Sequence, residues 1–151
     1  MKAKQRLPYP TELQQKLSGL YKELKNSVKR FHTLAQIAES EKLVLFYKKK
    51  LEERKCFRTE LKAFLKSNNV KIESSGTVTG AFSRLHTKIK VMFDNDEDQV
   101  SLNKATYHEE SLLYHYEFIL KKPEMLSDNL IKLLNTHTTK IESDINKMRN
   151  F

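Results

Sequence analysis

Apolar residues recur at steps of three and four through most of this chain, a period that only a helix can bury along one side. The series Leu13, Leu17, Leu20, Leu24, Val28, Phe31, Leu34 keeps to one stripe and predicts a first helix over about 11–38. Thr11-Glu12-Leu13-Gln14 reads as a capping box for its start. Ser40 is placed to cap a second helix, about 41–67, after a turn so short that the two helices must be antiparallel neighbours. Leu43, Tyr47, Leu51, Phe57, Leu61 and Phe64 then face inward, and Ser67-Asn68-Asn69 ends the helix. The connection over about 68–96 holds Ser74-Ser75-Gly76-Thr77 and a short amphipathic helix, about 78–93, with Val78, Phe82, Leu85, Ile89 and Met92. The acidic cluster Asp94-Asn95-Asp96-Glu97-Asp98 suits the positive end of a third helix, about 97–121. Pro123 suits the first turn of a fourth, about 124–150, with Leu130, Leu134, Ile141, Ile145 and Met148 inward.

Helices this long reach roughly 40 Å each. Matched lengths, two tight turns and one long connection between the second and third helices predict an all-α, ferritin-like four-helix bundle with a single crossover that contains a short extra helix. Residues 1–10, with Pro8 and Pro10, read as an N-terminal arm, and 11–151 as one bundle domain. Three Gly and three Pro in 151 residues leave too few tight turns for a sandwich, barrel or doubly wound sheet. One Cys cannot staple the chain, which fits a reducing compartment. The longest apolar run, Leu43 to Tyr47, is far short of the ~20 residues a membrane span needs, and no apolar signal core follows the basic N-terminus. The expected location is the cytoplasm.

Three polar residues interrupt the apolar seams: Arg54 in the second helix, Glu109 in the third and His137 in the fourth. They stand at the midpoints of the three predicted helices, so helices that share a midpoint would gather them into one central layer. A lone buried carboxylate costs several kcal/mol, and the Arg54 fork is the natural partner for Glu109. The same height is where ferritin-like bundles hold metal. A di-iron bundle, however, wants Glu-x-x-His on two helices. The residues three before His32, His86, His108, His115 and His137 are Lys29, Ser83, Ala105, Leu112 and Leu134, none of them acidic. Glu53, which has the Glu-x-x-Cys spacing to Cys56, and Glu60 complete the metal candidates with Glu109 and His137. Cys56, read as a half-buried thiol between Lys55 and Arg58, reads as packing rather than as a nucleophile. Gly76-Thr77-Val78-Thr79-Gly80 lacks the Lys and Ser/Thr of a phosphate loop.

The chain resembles a ferritin-like four-helix-bundle family defined by a domain of unknown function. The segments that carry the likeness are Arg54-Lys55-Cys56-Phe57-Arg58-Thr59-Glu60-Leu61, then Ser75 to Arg84 of the crossover, then Glu109-Glu110 followed by Tyr116 and Leu120. The likeness extends over about 13–150. Four departures stand out: Ser83 where the family has His, His86 near a usual Trp, His108 in place of the Gly before Glu109, and Asn26 to Lys29 where acidic residues are expected. The resemblance implies the fold and assigns no reaction. If the family holds metal through such positions, this chain lacks several of the ligands.

The net charge of +9 brings in one more class of partner. Lys48, Lys49, Lys50, Lys55, Arg58 and Lys62 predict a basic surface on the second helix, able to attract nucleic acid or an anionic membrane by counterion release. No DNA-reading motif accompanies it, so a solvated lysine face is the simpler expectation. Exposed aromatics such as Tyr107 and Tyr114 could mark a partner surface, and a homo-oligomer is a further expectation. The expected function is a non-enzymatic binding or stress-associated scaffold with a salt-bridged centre and no cofactor. The alternatives are an iron or manganese oxidoreductase or storage protein, and a nucleic-acid binder.

Overall fold

The computed structural model describes residues 9–72 and 97–151. Helix α1 spans Thr11–Ile37, α2 Glu41–Ser67, α3 Glu97–Leu120 and α4 Asp128–Arg149, with a single 3-10 turn over Pro123–Met125. The described residues contain no strand. The expected short helix at 78–93 and the crossover glycines lie outside the described residues, as does most of the arm at 1–10.

Local chemistry explains each boundary. Thr11 does not cap α1: Pro10 holds the cap position, Thr11 is already helical, and Gln14 instead donates its side-chain amide to the Tyr9 carbonyl at 2.7 Å. Proline presets its own backbone angle, which leaves the threonine hydroxyl inside the first turn. Ser40 caps α2 by accepting from the Leu43 amide at 3.4 Å. The α1–α2 turn is also clamped from α3, where the Asp98 carboxylate accepts from the Glu39 and Ser40 amides at 2.9 and 2.8 Å. Helix α2 ends with Asn69 in the left-handed region (φ 57°), Val70 donating back to Leu65 and Asn69 to Lys66, the paired bonds of a Schellman stop. The fourth helix starts later than the sequence predicts. Pro123 opens the 3-10 turn, and Ser127 caps α4 by accepting from the Leu130 amide.

Contacts at the two ends set the directions. Tyr47 near the start of α2 bonds Ser101 near the start of α3, so these helices run parallel. Lys16 near the start of α1 lies over Phe118 near the end of α3, and Lys42 near the start of α2 lies over Phe151, just after α4. Both of those pairs are antiparallel. Two parallel helices joined in sequence need a long connection, and the stretch of chain between Ser67 and Glu97 is long enough for one. The core runs the length of the bundle, with Leu17, Leu20, Leu24, Phe31, Tyr47, Leu61, Leu65, Leu112, Tyr116, Leu130, Leu134 and Ile141 excluded from solvent. Phe64, expected inward, is only partly buried, and Leu65 takes the core position beside Val70.

Candidate functional site

The stripe of α2 carries Arg54 to the axis of the bundle, where it is fully buried. Its guanidinium lies over the rings of Phe31 and Phe57, 5.5 and 5.3 Å from their centroids. It joins two carboxylates from different helices: Nε donates to Glu109 Oε1 at 2.8 Å and Nη2 to Asp144 Oδ2 at 2.9 Å. Glu109 takes two further bonds from α1 at Oε2, from Arg30 Nη1 at 2.9 Å and from Ser27 Oγ at 2.8 Å. Asp144 takes Lys50 Nζ at 2.6 Å, and the same ammonium reaches Glu53. Arg30, Lys50 and Arg54 therefore face Glu109, Asp144 and the partly exposed Glu53, so the three positive and three negative charges balance.

That balance decides the protonation states. Burial alone would push the Glu109 carboxyl up, but the Arg54 and Arg30 guanidinia, with the bonds from Arg30 and Ser27, hold it below the ordinary carboxylate range. Burial would push Arg54 down, and Glu109 and Asp144 reverse this. Glu109 and Arg54 therefore meet as carboxylate and guanidinium.

His137 is buried as expected but does not join that layer. Its Nδ1 shares a 2.8 Å hydrogen bond with the Tyr116 hydroxyl, and its ring stacks on Phe57 at 4.0 Å between centroids. Burial first, then Arg54 and Lys140, push its pKa down to about 3, so the imidazole is neutral. Helix α4 begins at Asp128 rather than 124 and sits offset along the axis, so the α4 residue level with Arg54 is Asp144, two turns on. Equal midpoints do not hold for staggered helices.

The metal candidates do not assemble. Glu53 pairs with Lys50, Glu60 is half exposed with Oε1 3.5 Å from His137 Nε2, and Glu109 is taken by two guanidinia and a hydroxyl. Among the described residues no three His, Cys, Asp or Glu side chains come together to hold an ion. A guanidinium on each oxygen of Glu109 competes with any cation for the same lone pairs and cannot be deprotonated, so the donor set does not fit the metal centre of a ferritin-like bundle.

The expected basic surface needs one correction. Lys48, Lys49 and Lys62 are exposed and Lys55 and Arg58 half-buried, but Lys50 is buried, because it stands three residues after Tyr47 and four before Arg54 on the core stripe. Cys56 is exposed rather than half-buried. Ser27, Arg30 and Asp144 also belong to the centre, beyond the residues expected there from the sequence. A signal existed: Ser27 lies three residues after Leu24 and four before Phe31, and Asp144 three after Ile141 and four before Met148, all in helical register. Arg30 carried no such mark.

A family model described as "Domain of unknown function (DUF2383)" matches residues 12–122. The match takes in α1, α2 and α3, with Ser27, Arg30, Lys50, Arg54 and Glu109, and stops before α4 and Asp144; it is shorter than the likeness over 13–150 read from sequence. No curated protein and no solved structure matches the chain.

Proposed function

The chain belongs to the family described as domain of unknown function DUF2383, and on that premise we propose that it is a non-enzymatic, ferritin-like scaffold that works through its surface. The observation that carries this reading is Arg54 bridging Glu109 and Asp144 in the middle of the bundle. A guanidinium there does the structural work a bound cation does in a carboxylate-lined bundle: it neutralises acids from two helices and ties them to a third. Unlike a metal it offers no open coordination position and no redox couple, and each of its donors points in a fixed direction. Neither His137 nor Cys56 supplies an alternative centre. The imidazole is neutral, stacked and buried, and the thiol stands alone. The scaffold would act by binding or in stress, through helix faces that the ionic centre holds in register.

The test is metal analysis of full-length protein purified without chelator, with iron and manganese measured per chain. The expected result is a substoichiometric trace that is the same in the Glu60→Gln variant. Stoichiometric metal that disappears on Glu60→Gln or Glu109→Ala would establish the metalloprotein reading instead. Retention on DNA at low salt that collapses steeply as salt rises would replace the scaffold reading with nucleic-acid binding.

A further inference from the structure

We infer that a groove at the end of the bundle where α1 begins binds a single-chain anionic amphiphile, a long-chain carboxylate, with its alkyl chain on an apolar floor and its headgroup among lysines. The groove has a volume of about 260 Å³ and lies between the first turn of α1, the last turn of α3 and the 3-10 turn. Leu13 and Ile119 form the floor and belong to the buried core, so the floor is fixed. Phe118 and Met125 form the walls and are 41% and 40% exposed, so they add apolar surface that the floor continues inward. Met125 is held in place by the 3-10 turn, which the Leu126 amide closes on the Pro123 carbonyl at 3.0 Å.

The rim is cationic. Lys16, Lys121 and Lys122 border the groove, against the single carboxylate of Glu12. Glu12 pairs with Lys16 at 3.2 Å, and this leaves Lys121 and Lys122 without a carboxylate in the lining. Lys16 and Lys121 hold their ammonium groups 4.3 and 5.8 Å from the centroid of the same Phe118 ring, so positive charge is gathered at the mouth. An apolar floor under a lysine rim selects a ligand with a hydrocarbon tail and one anionic end. The size selects the tail. The volume of about 260 Å³ falls below the roughly 300–1,000 Å³ of sites for drug-sized ligands, which suits a single alkyl chain. The site is separate from the ionic centre and stands or falls independently of the scaffold reading.

The experiment is calorimetric titration of the full chain with decanoate, laurate and myristate, each below its micellar concentration, and with dodecyltrimethylammonium. Saturable binding of one carboxylate per chain is expected, with affinity rising about two- to fourfold per methylene until the groove is filled. The cationic amphiphile should bind at least about tenfold more weakly, since its charge is repelled where a carboxylate is attracted. Lys121→Glu with Lys122→Glu, both exposed, should weaken laurate at least about fivefold without changing the melting curve, whereas Lys48→Glu with Lys49→Glu on α2 should not. Four results would each overturn the proposal: no saturable binding, equal affinity for the cationic amphiphile, equal sensitivity to both lysine pairs, or an acidic amphipathic peptide bound more tightly than laurate.

Discussion

The half of the bundle where α1 begins and its middle are made from the same four helices with the same period, yet different forces hold them. In the first, Leu13, Leu17, Leu20, Leu24, Leu61, Leu65, Leu130 and Leu134 fill the interior. In the second, Arg30, Lys50 and Arg54 meet Glu109, Asp144 and Glu53. Apolar burial is non-directional and scales with area, so one leucine serves nearly as well as another. An ion-pair layer is selective in the opposite way. The charged groups of α1, α2, α3 and α4 meet at one height, and slipping any helix by a turn would strand a charge in the core. The leucine half contributes bulk stability, and the ionic middle contributes discrimination between registers.

The comparison breaks most directly at Glu109. Glu109→Ala leaves two buried guanidinia facing a cavity and should cost about 3–5 kcal/mol in urea unfolding. Leu61→Ala in the apolar half should cost about 2–4 kcal/mol through lost burial and a partly collapsed cavity. Glu109→Ala should also lower the cooperativity of the transition, whereas Leu61→Ala should shift the midpoint alone. If the two variants unfolded alike, with the same slope, the two halves would not differ in kind.

A pH titration of stability sharpens the same contrast. The unfolded chain protonates His137 below about pH 6.5, but the folded chain holds it neutral down to about 3. Stability from this group is therefore complete above about pH 6.5 and declines with acid through that window, by up to about 1.4 kcal/mol per pH unit. His108, pushed down to about 4 by burial and then by Arg30, declines in the same direction. Glu109, whose pKa is held low, adds its loss only below about pH 4.3. His137→Gln should flatten part of the decline between pH 6 and 4.5, and His137→Gln with His108→Gln should flatten the rest. A profile unchanged by either variant would mean that neither imidazole is kept neutral by the fold.

The smallest effect belongs to the apolar half. Gly19 lies inside α1, and a Cβ added there meets nothing within 4 Å. Gly19→Ala should therefore raise stability by about 0.5–1 kcal/mol, as replacing a mid-helix glycine does where space allows. A thermal melt checks this, and a loss would show that the position needs the freedom of glycine.

The sequence by itself determined the four long helices, their order and most of the residues on their inward faces. Period, caps and breaks are written in residues within a few places of one another, so α2 spans Glu41–Ser67 as its pattern indicates, and the stripe Leu102, Ala105, Glu109, Leu112, Tyr116, Ile119 is the buried face of α3. It also placed Arg54 opposite Glu109. It misplaced His137, because which α4 residue stands level with Arg54 depends on how far one helix is displaced along another; Lys50, Ser27 and Asp144 lie in register on the core stripes, but the counter-charge or donor each one meets depends on that same displacement. Only the tertiary structure decided that displacement. A helix repeats every 5.4 Å along its axis, and a one-turn offset leaves every stripe equally apolar. The local pattern is indifferent to the offset, and it is settled where a charge on one helix must meet its counter-charge on another.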